Sequence, residues 1–108
     1  MVVFPHCKIN LGLHVISKRD DGYHAIETCF YPVPWTDILE VIKSEDFSFT
    51  NSGMVIPGKA AENLCVKAYQ LLHSDFNLSP VKIHLHKVIP AGAGLGGGSS
   101  DAVFTLRC

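Results

Sequence analysis

Neither sign of charge dominates this sequence. Nine lysines and arginines against ten aspartates and glutamates leave a formal net charge of −1 over 108 residues, with no arginine-rich stripe. That balance offers no electrostatic footprint for a polyanion, so no nucleic-acid partner is expected. No apolar run approaches the roughly twenty residues of a membrane-spanning helix, and no membrane partner is expected either. The opening MVVFPHCKIN lacks the basic start and apolar stretch of a secretory signal, which makes the cytoplasm the expected compartment. Cysteine occurs four times, at Cys7, Cys29, Cys65 and Cys108, but never as a C-x-x-C pair. Such spacing argues against zinc and for free thiols, and no metal ligands are assigned. Missing too is a helix stop: SSDAVFTLRC at the end has a helical look with no glycine or asparagine cap. The chain is therefore expected to be the front part of a longer protein.

What is present reads as one small domain of α+β class. Ile9, Leu11, Leu13 and Val15 alternate with Lys8, Asn10, Gly12 and His14, which predicts a half-buried strand. Asp21-Gly22 predicts a hairpin turn into a second strand from about His24 to Val33, where Pro32 and Pro34 are expected to interrupt it. DILEVI from Asp37 alternates again, and FSFT, NSG and MVI suggest a further hairpin, so the first half is expected to be an antiparallel meander. Ala61, Leu64, Cys65, Ala68, Leu71 and Leu72 then fall on one helical stripe ending near Phe76. SPVKIHLHKVI returns to alternation, with Val81, Ile83 and Leu85 on one face, and a second helix is expected from about Ser99. No repeat, linker or internal boundary is visible.

Between that strand and that helix stands PAGAGLGGGSSDAV, beginning at Pro90. Glycine lets backbone N–H groups converge on an anion, and the following helix N-terminus adds free donors and a favourable dipole. Ser99 and Ser100 add hydroxyls. A plain turn capped by one serine needs far fewer glycines than this. A Walker A loop is excluded, because Gly98 stands where its lysine belongs. The dinucleotide pattern G-x-G-x-x-G is met by Gly92, Gly94 and Gly97, but it follows a meander and a helix rather than an opening strand.

A third reading is a resemblance. PAGAGLGGGSSDA resembles the P-x3-G-L-G-[GS]-[GS]-S loop of the GHMP kinases, and the order strands, helix, strand, loop, helix is similar to their N-terminal domain. That domain resembles domain 2 of ribosomal protein S5, with a mixed or antiparallel sheet and helices; residues 1–108 would form it incompletely, without the C-terminal domain. KINLGLHV and DDGYHAIETCFYPVPWTDILEV resemble the members that act on a cytidylylated methylerythritol. The resemblance implies ATP-dependent phosphorylation of that substrate's 2-hydroxyl on the route to isoprenoid precursors.

By this resemblance Pro90, Ala91, Gly92, Ala93, Gly94, Leu95, Gly96, Gly97, Gly98, Ser99 and Ser100 would wrap the ATP phosphates. Lys8 and Asn10 would serve catalysis, the lysine beside the reacting hydroxyl and the amide two residues on along the same strand face. Tyr23 would offer its ring to the cytosine and His24 a hydrogen bond to the polar edge. Magnesium is implied by ATP chemistry rather than by visible ligands. The family's general-base aspartate lies on a segment beyond Cys108; neither Asp101 nor Asp21 matches it, so these 108 residues are expected to be inactive alone. His84 and His86 share their strand face with Lys82 and read as a solvent-facing row rather than a metal site. Two other functions fit the same residues: a GHMP kinase for a sugar or mevalonate-like alcohol, and a nucleotide-binding module without catalysis.

Overall fold

A computed structural model describes all residues, Met1–Cys108. Strands β1 (Val2–Val3), β4 (Ile38–Lys43), β5 (Ser48–Gly53) and β6 (Val81–Lys87) form one sheet in the order β1-β4-β6-β5. Strands β2 (His6–Lys18) and β3 (His24–Thr36) pair only with each other. A 3-10 turn (Ala60–Glu62) leads into helix α1 (Leu64–Phe76), and helix α2 (Gly97–Arg107) follows the glycine loop. The α+β class and the mixed sheet expected from the sequence are both present.

The core is built where alternation and helical period meet. The antiparallel register of β4 and β6 sets Leu39 opposite Leu85 and Val41 opposite Ile83. Onto that face α1 lays Cys65 and Tyr69, and these five-residue centres, Leu39, Cys65, Tyr69, Ile83 and Leu85, are buried together. Asn63 starts α1 by accepting the Cys65 N–H at 2.9 Å through its side-chain oxygen, and Asn77, in the left-handed region at φ 48°, ends it. An Asn suits both ends because its short amide bonds the backbone locally and tolerates that conformation.

Several expectations change. Strand β3 runs through Pro32 and Pro34 to Thr36; a strand with one free edge accommodates proline, because the missing N–H costs no ladder bond on the open side. The expected hairpin at NSG does not form. Asn51, Ser52 and Gly53 lie inside β5, which runs parallel to β6, and α1 supplies the crossover that a parallel pair requires. The first half is thus a hairpin plus a sheet completed by β6, not a meander. In α1 the buried stripe is Cys65, Val66, Ala68 and Tyr69, while Leu64 and Leu71 are exposed. Most telling, the apolar side of β2 is not half-buried: Leu11, Leu13 and Val15 are exposed, Leu13 at 57%. The ribbon has no third strand, and α2 meets β2 at its start, where His6 faces the Phe104 ring and Cys7 is buried.

Candidate functional site

The loop Pro90–Gly96 joins the end of β6 to the start of α2. Its conformation is glycine-specific: Gly92, Gly94 and Gly96 have φ of 70°, 75° and 69°, a region that costs other residues free energy. Gly96 is the N-cap of α2 and brings no side-chain cap. The first bond into the helix is the Ser100 N–H to the Gly96 carbonyl, 3.0 Å. The amides of Gly97, Gly98 and Ser99 precede it and are left as free donors at the positive end of an eleven-residue helix.

Strand β2 lies against this loop at Lys8. The Lys8 N–H donates to the Leu95 carbonyl at 2.9 Å. The Lys8 ammonium donates to the Gly94 carbonyl at 2.8 Å and to Asn10 Oδ1 at 2.7 Å. It also stands 5.3 Å from the Phe30 ring centre. A Cβ on Gly96 would come within 3.1 Å of Lys8 Cε, so a side chain there would crowd the lysine and oblige it to shift. An ammonium has three donors; two are used, and the third is free. Lys8, Asn10 and the glycine loop, some eighty residues apart in sequence, are thus brought together. Beside the loop, a cavity of about 230 Å³ opens between it and the start of α1, lined among others by Ile56, Pro57, Asn63, Leu64 and Gly98.

Tyr23 and His24 stand elsewhere. They follow the turn at the far end of the ribbon, where Asp21 Oδ1 accepts the Tyr23 N–H at 3.0 Å and Tyr23 is 73% exposed. Lys8 pairs with Pro32 and Lys18 with His24, which puts roughly 33 Å of strand between loop and tip at about 3.3 Å per residue. Register shifts between Leu11 and Leu13 and between Val15 and Ser17 bend the ribbon along the way. His84 and His86 are held by β5: Thr50 Oγ1 lies 2.8 Å from His84 Nδ1, and Ser52 Oγ lies 2.9 Å from both His84 Nε2 and His86 Nδ1.

Sequence reasoning missed one cluster. Lys87 is buried with its ammonium between Asp37 Oδ2 at 2.5 Å and Asp101 Oδ2 at 2.8 Å. Asp37 Oδ1 also accepts the N–H groups of Val88 and Ile89 at 2.6 and 2.8 Å. Burial pushes the Asp101 carboxyl up to about 6, against the pull of Lys87, and Asp101 Oδ1 has no hydrogen-bond partner. Burial works against the Lys87 charge as well, but its bonds to Asp101 and Asp37 outweigh it and raise the ammonium's pKa. The signal was in the pattern: Lys87 continues the series Val81, Ile83, Leu85 on the inward face of β6, where a charge must find a buried partner. Cys65 nearby is inert at neutral pH, its thiol pushed up to about 11 by burial.

A family profile described as GHMP kinases N terminal domain matches residues 63–108, from the cap of α1 through the glycine loop and α2. The 4-diphosphocytidyl-2-C-methyl-D-erythritol kinase of Cytophaga hutchinsonii is 64% identical over 107 residues, covering 99% of this chain. The protein of the same name from Bacteroides thetaiotaomicron is 55% identical over 111 residues. A crystal structure of 4-(cytidine 5'-diphospho)-2C-methyl-D-erythritol kinase superposes with a TM-score of 0.79 at 41% identity, covering 99% of this chain and 38% of that one. Residues 63–108 thus match the N-terminal domain of the GHMP kinases, and the chain as a whole is similar to the front part of these kinases. It spans about 40% of the length of the curated relatives it matches. No helix of the chain is long and apolar enough to cross a membrane.

Proposed function

We propose that this chain forms the nucleotide-binding part of a kinase that transfers the γ-phosphoryl group of ATP to the 2-hydroxyl of 4-diphosphocytidyl-2-C-methyl-D-erythritol, in isoprenoid precursor synthesis. The observation that carries the reading is the Lys8 ammonium tied to the glycine loop through the Gly94 carbonyl. Phosphoryl transfer is mostly positioning and charge neutralisation, and both are supplied here by fixed groups. The loop Pro90–Ser100 surrounds the phosphates with backbone amides, and the free amides of Gly97, Gly98 and Ser99 add the helix terminus. The cavity beside the loop takes the rest of the nucleotide. Asn10 orients Lys8, whose remaining N–H stabilises the phosphoryl oxygens or the developing alkoxide. Tyr23 and His24 at the ribbon tip read the cytosine, the ring by stacking and the imidazole by a hydrogen bond. The substrate then lies extended along a bent ribbon, which accounts for recognition residues so far from the loop.

Magnesium arrives with the nucleotide. The loop offers amides and hydroxyls, and the carboxylate in α2 is engaged by Lys87, so the ion is held chiefly by the phosphates. None of the molecule's three ion pairs includes Lys8. Without a carboxylate beside it to accept the hydroxyl proton, these 108 residues alone bind ATP and release no ADP. The protein operates in the cytoplasm.

The test is ADP release by the full-length gene product with magnesium, ATP and a panel of alcohols. Turnover is expected only with the cytidylylated methylerythritol. Lys8→Met lowers kcat by about a hundredfold or more while the unfolding temperature holds. Turnover with a plain sugar or mevalonate-like alcohol instead would mean a different GHMP kinase. ATP binding with no turnover on any alcohol would mean a nucleotide-binding module.

A further inference from the structure

The buried cluster around Lys87 carries more charge than stability requires. One ammonium facing one carboxylate would be neutral; here it faces two. Burying a surplus carboxylate is costly, and Asp101 leaves one oxygen without a partner. The position of the groups gives the surplus a purpose. Asp37 holds the N–H groups of Val88 and Ile89, the last residues before the loop. Asp101 is on the second turn of α2, just after the loop. Lys87 bonds both. The start of α2 is seated directly on this junction, since a Cβ at Gly97 would lie 3.0 Å from Ile89 Cγ2 and 3.1 Å from Lys87 Nζ.

We propose that Lys87, Asp37 and Asp101 are positioning residues: together they tie the strand side of the glycine loop to its helix side and so hold the loop amides in the geometry that receives phosphate. The Asp37–Lys87 pair alone would fasten only the strand side. The second carboxylate extends the fastening across the loop, and without it seven residues, Pro90–Gly96, would be anchored on the far side by packing and by Lys8 alone. Lys87 and Asp101 also line the cavity beside the loop, so their positioning role is read from the loop itself, through its amide exchange, and from the contrast between ATP and adenosine. The inference rests on the phosphate reading above, and its test includes a measurement that does not.

Two variants separate a tie from a stability element. Asp101→Ala cuts the tie yet leaves a neutral Lys87–Asp37 pair, so the fold is retained. Asp101→Asn keeps an oxygen acceptor for Lys87. In the full-length product, backbone amide exchange at Gly92–Ser99 is expected to quicken in Asp101→Ala, to recover in Asp101→Asn, and to stay unchanged in β6 and α1. ATP affinity is expected to fall about tenfold in the alanine variant, equivalent to 1.4 kcal/mol, while adenosine, which has no phosphate, binds as before. Loss of ATP and adenosine affinity together, or loop exchange identical in all three proteins, overturns the proposal. Should the unmodified protein not bind ATP, the phosphate reading falls and the exchange pattern alone decides whether the tie exists.

Discussion

The two halves of this molecule use the same strand grammar to opposite ends. In β6, Val81, Ile83, Leu85 and Lys87 alternate with Lys82, His84 and His86, and the inward set is largely buried under α1 and α2. In β2, Ile9, Leu11, Leu13 and Val15 alternate just as regularly and stay exposed. The difference lies in the third dimension. The four-stranded sheet has two helices laid across it, whereas the ribbon meets α2 and the glycine loop near its start, at His6 and Lys8, and the molecule reaches 47 Å in its longest dimension. Alternation therefore states that a strand has an apolar side; what covers that side depends on elements far away in sequence. The glycine loop sits at the junction, with its backbone shaped by the packed half and Lys8 contributed by the unpacked one.

The comparison breaks most forcefully at Leu85. It is 1% exposed within the central cluster, so Leu85→Ala removes its burial and leaves a cavity. The expected loss is about 3–4 kcal/mol in urea unfolding; a loss below 1 would show that the sheet–helix half is loosely packed.

A smaller and pH-dependent effect belongs to Asp101. The group releases its proton near 3.8 when unfolded and holds it to about 6 when folded. Between these values the folded state binds more protons, so the stabilisation is full below about pH 3.8 and is lost as pH rises through 6. At about 1.4 kcal/mol per unit, a displacement of some two units caps the change near 3 kcal/mol. Lys87, Asp37 and Cys65 face the group. Unfolding of the native protein and of Asp101→Asn at pH 4.5 and 7.5 checks it: relative to the variant, the native protein gains stability on acidification. Equal slopes would place the Asp101 carboxyl at its ordinary value.

Much of this was legible in sequence because it is local. The helical stripe ending near Phe76 and the glycine spacing each act within a turn or two, and α1, the loop and α2 fall close to where they predict. Lys8 and Asn10 could be paired because strand neighbours two apart share a face. Strand partners were not local. The run after Phe47 looked like half a hairpin, but its partner is β6, beyond a whole helix. The prolines at 32 and 34 looked like a stop, since nothing in the sequence says that β3 has an open edge. Lys87 was passed over for a similar reason: its carboxylates come from β4's threshold and from α2, 50 and 14 residues away.

The smallest effect is expected on the ribbon. Leu13 is 57% exposed in a ribbon with no third strand, so a polar residue there loses little burial. Leu13→Ser is expected to change the unfolding free energy by less than about 0.5 kcal/mol, the range of ordinary surface substitutions. Set beside Leu85→Ala in the same assay, it measures directly how far one alternating pattern differs from the other in burial. A loss approaching that of Leu85 would show that the apolar side of β2 is covered in solution. Sedimentation across a dilution series would then tell whether the cover is a second copy, since only that cover is lost as the chain is diluted.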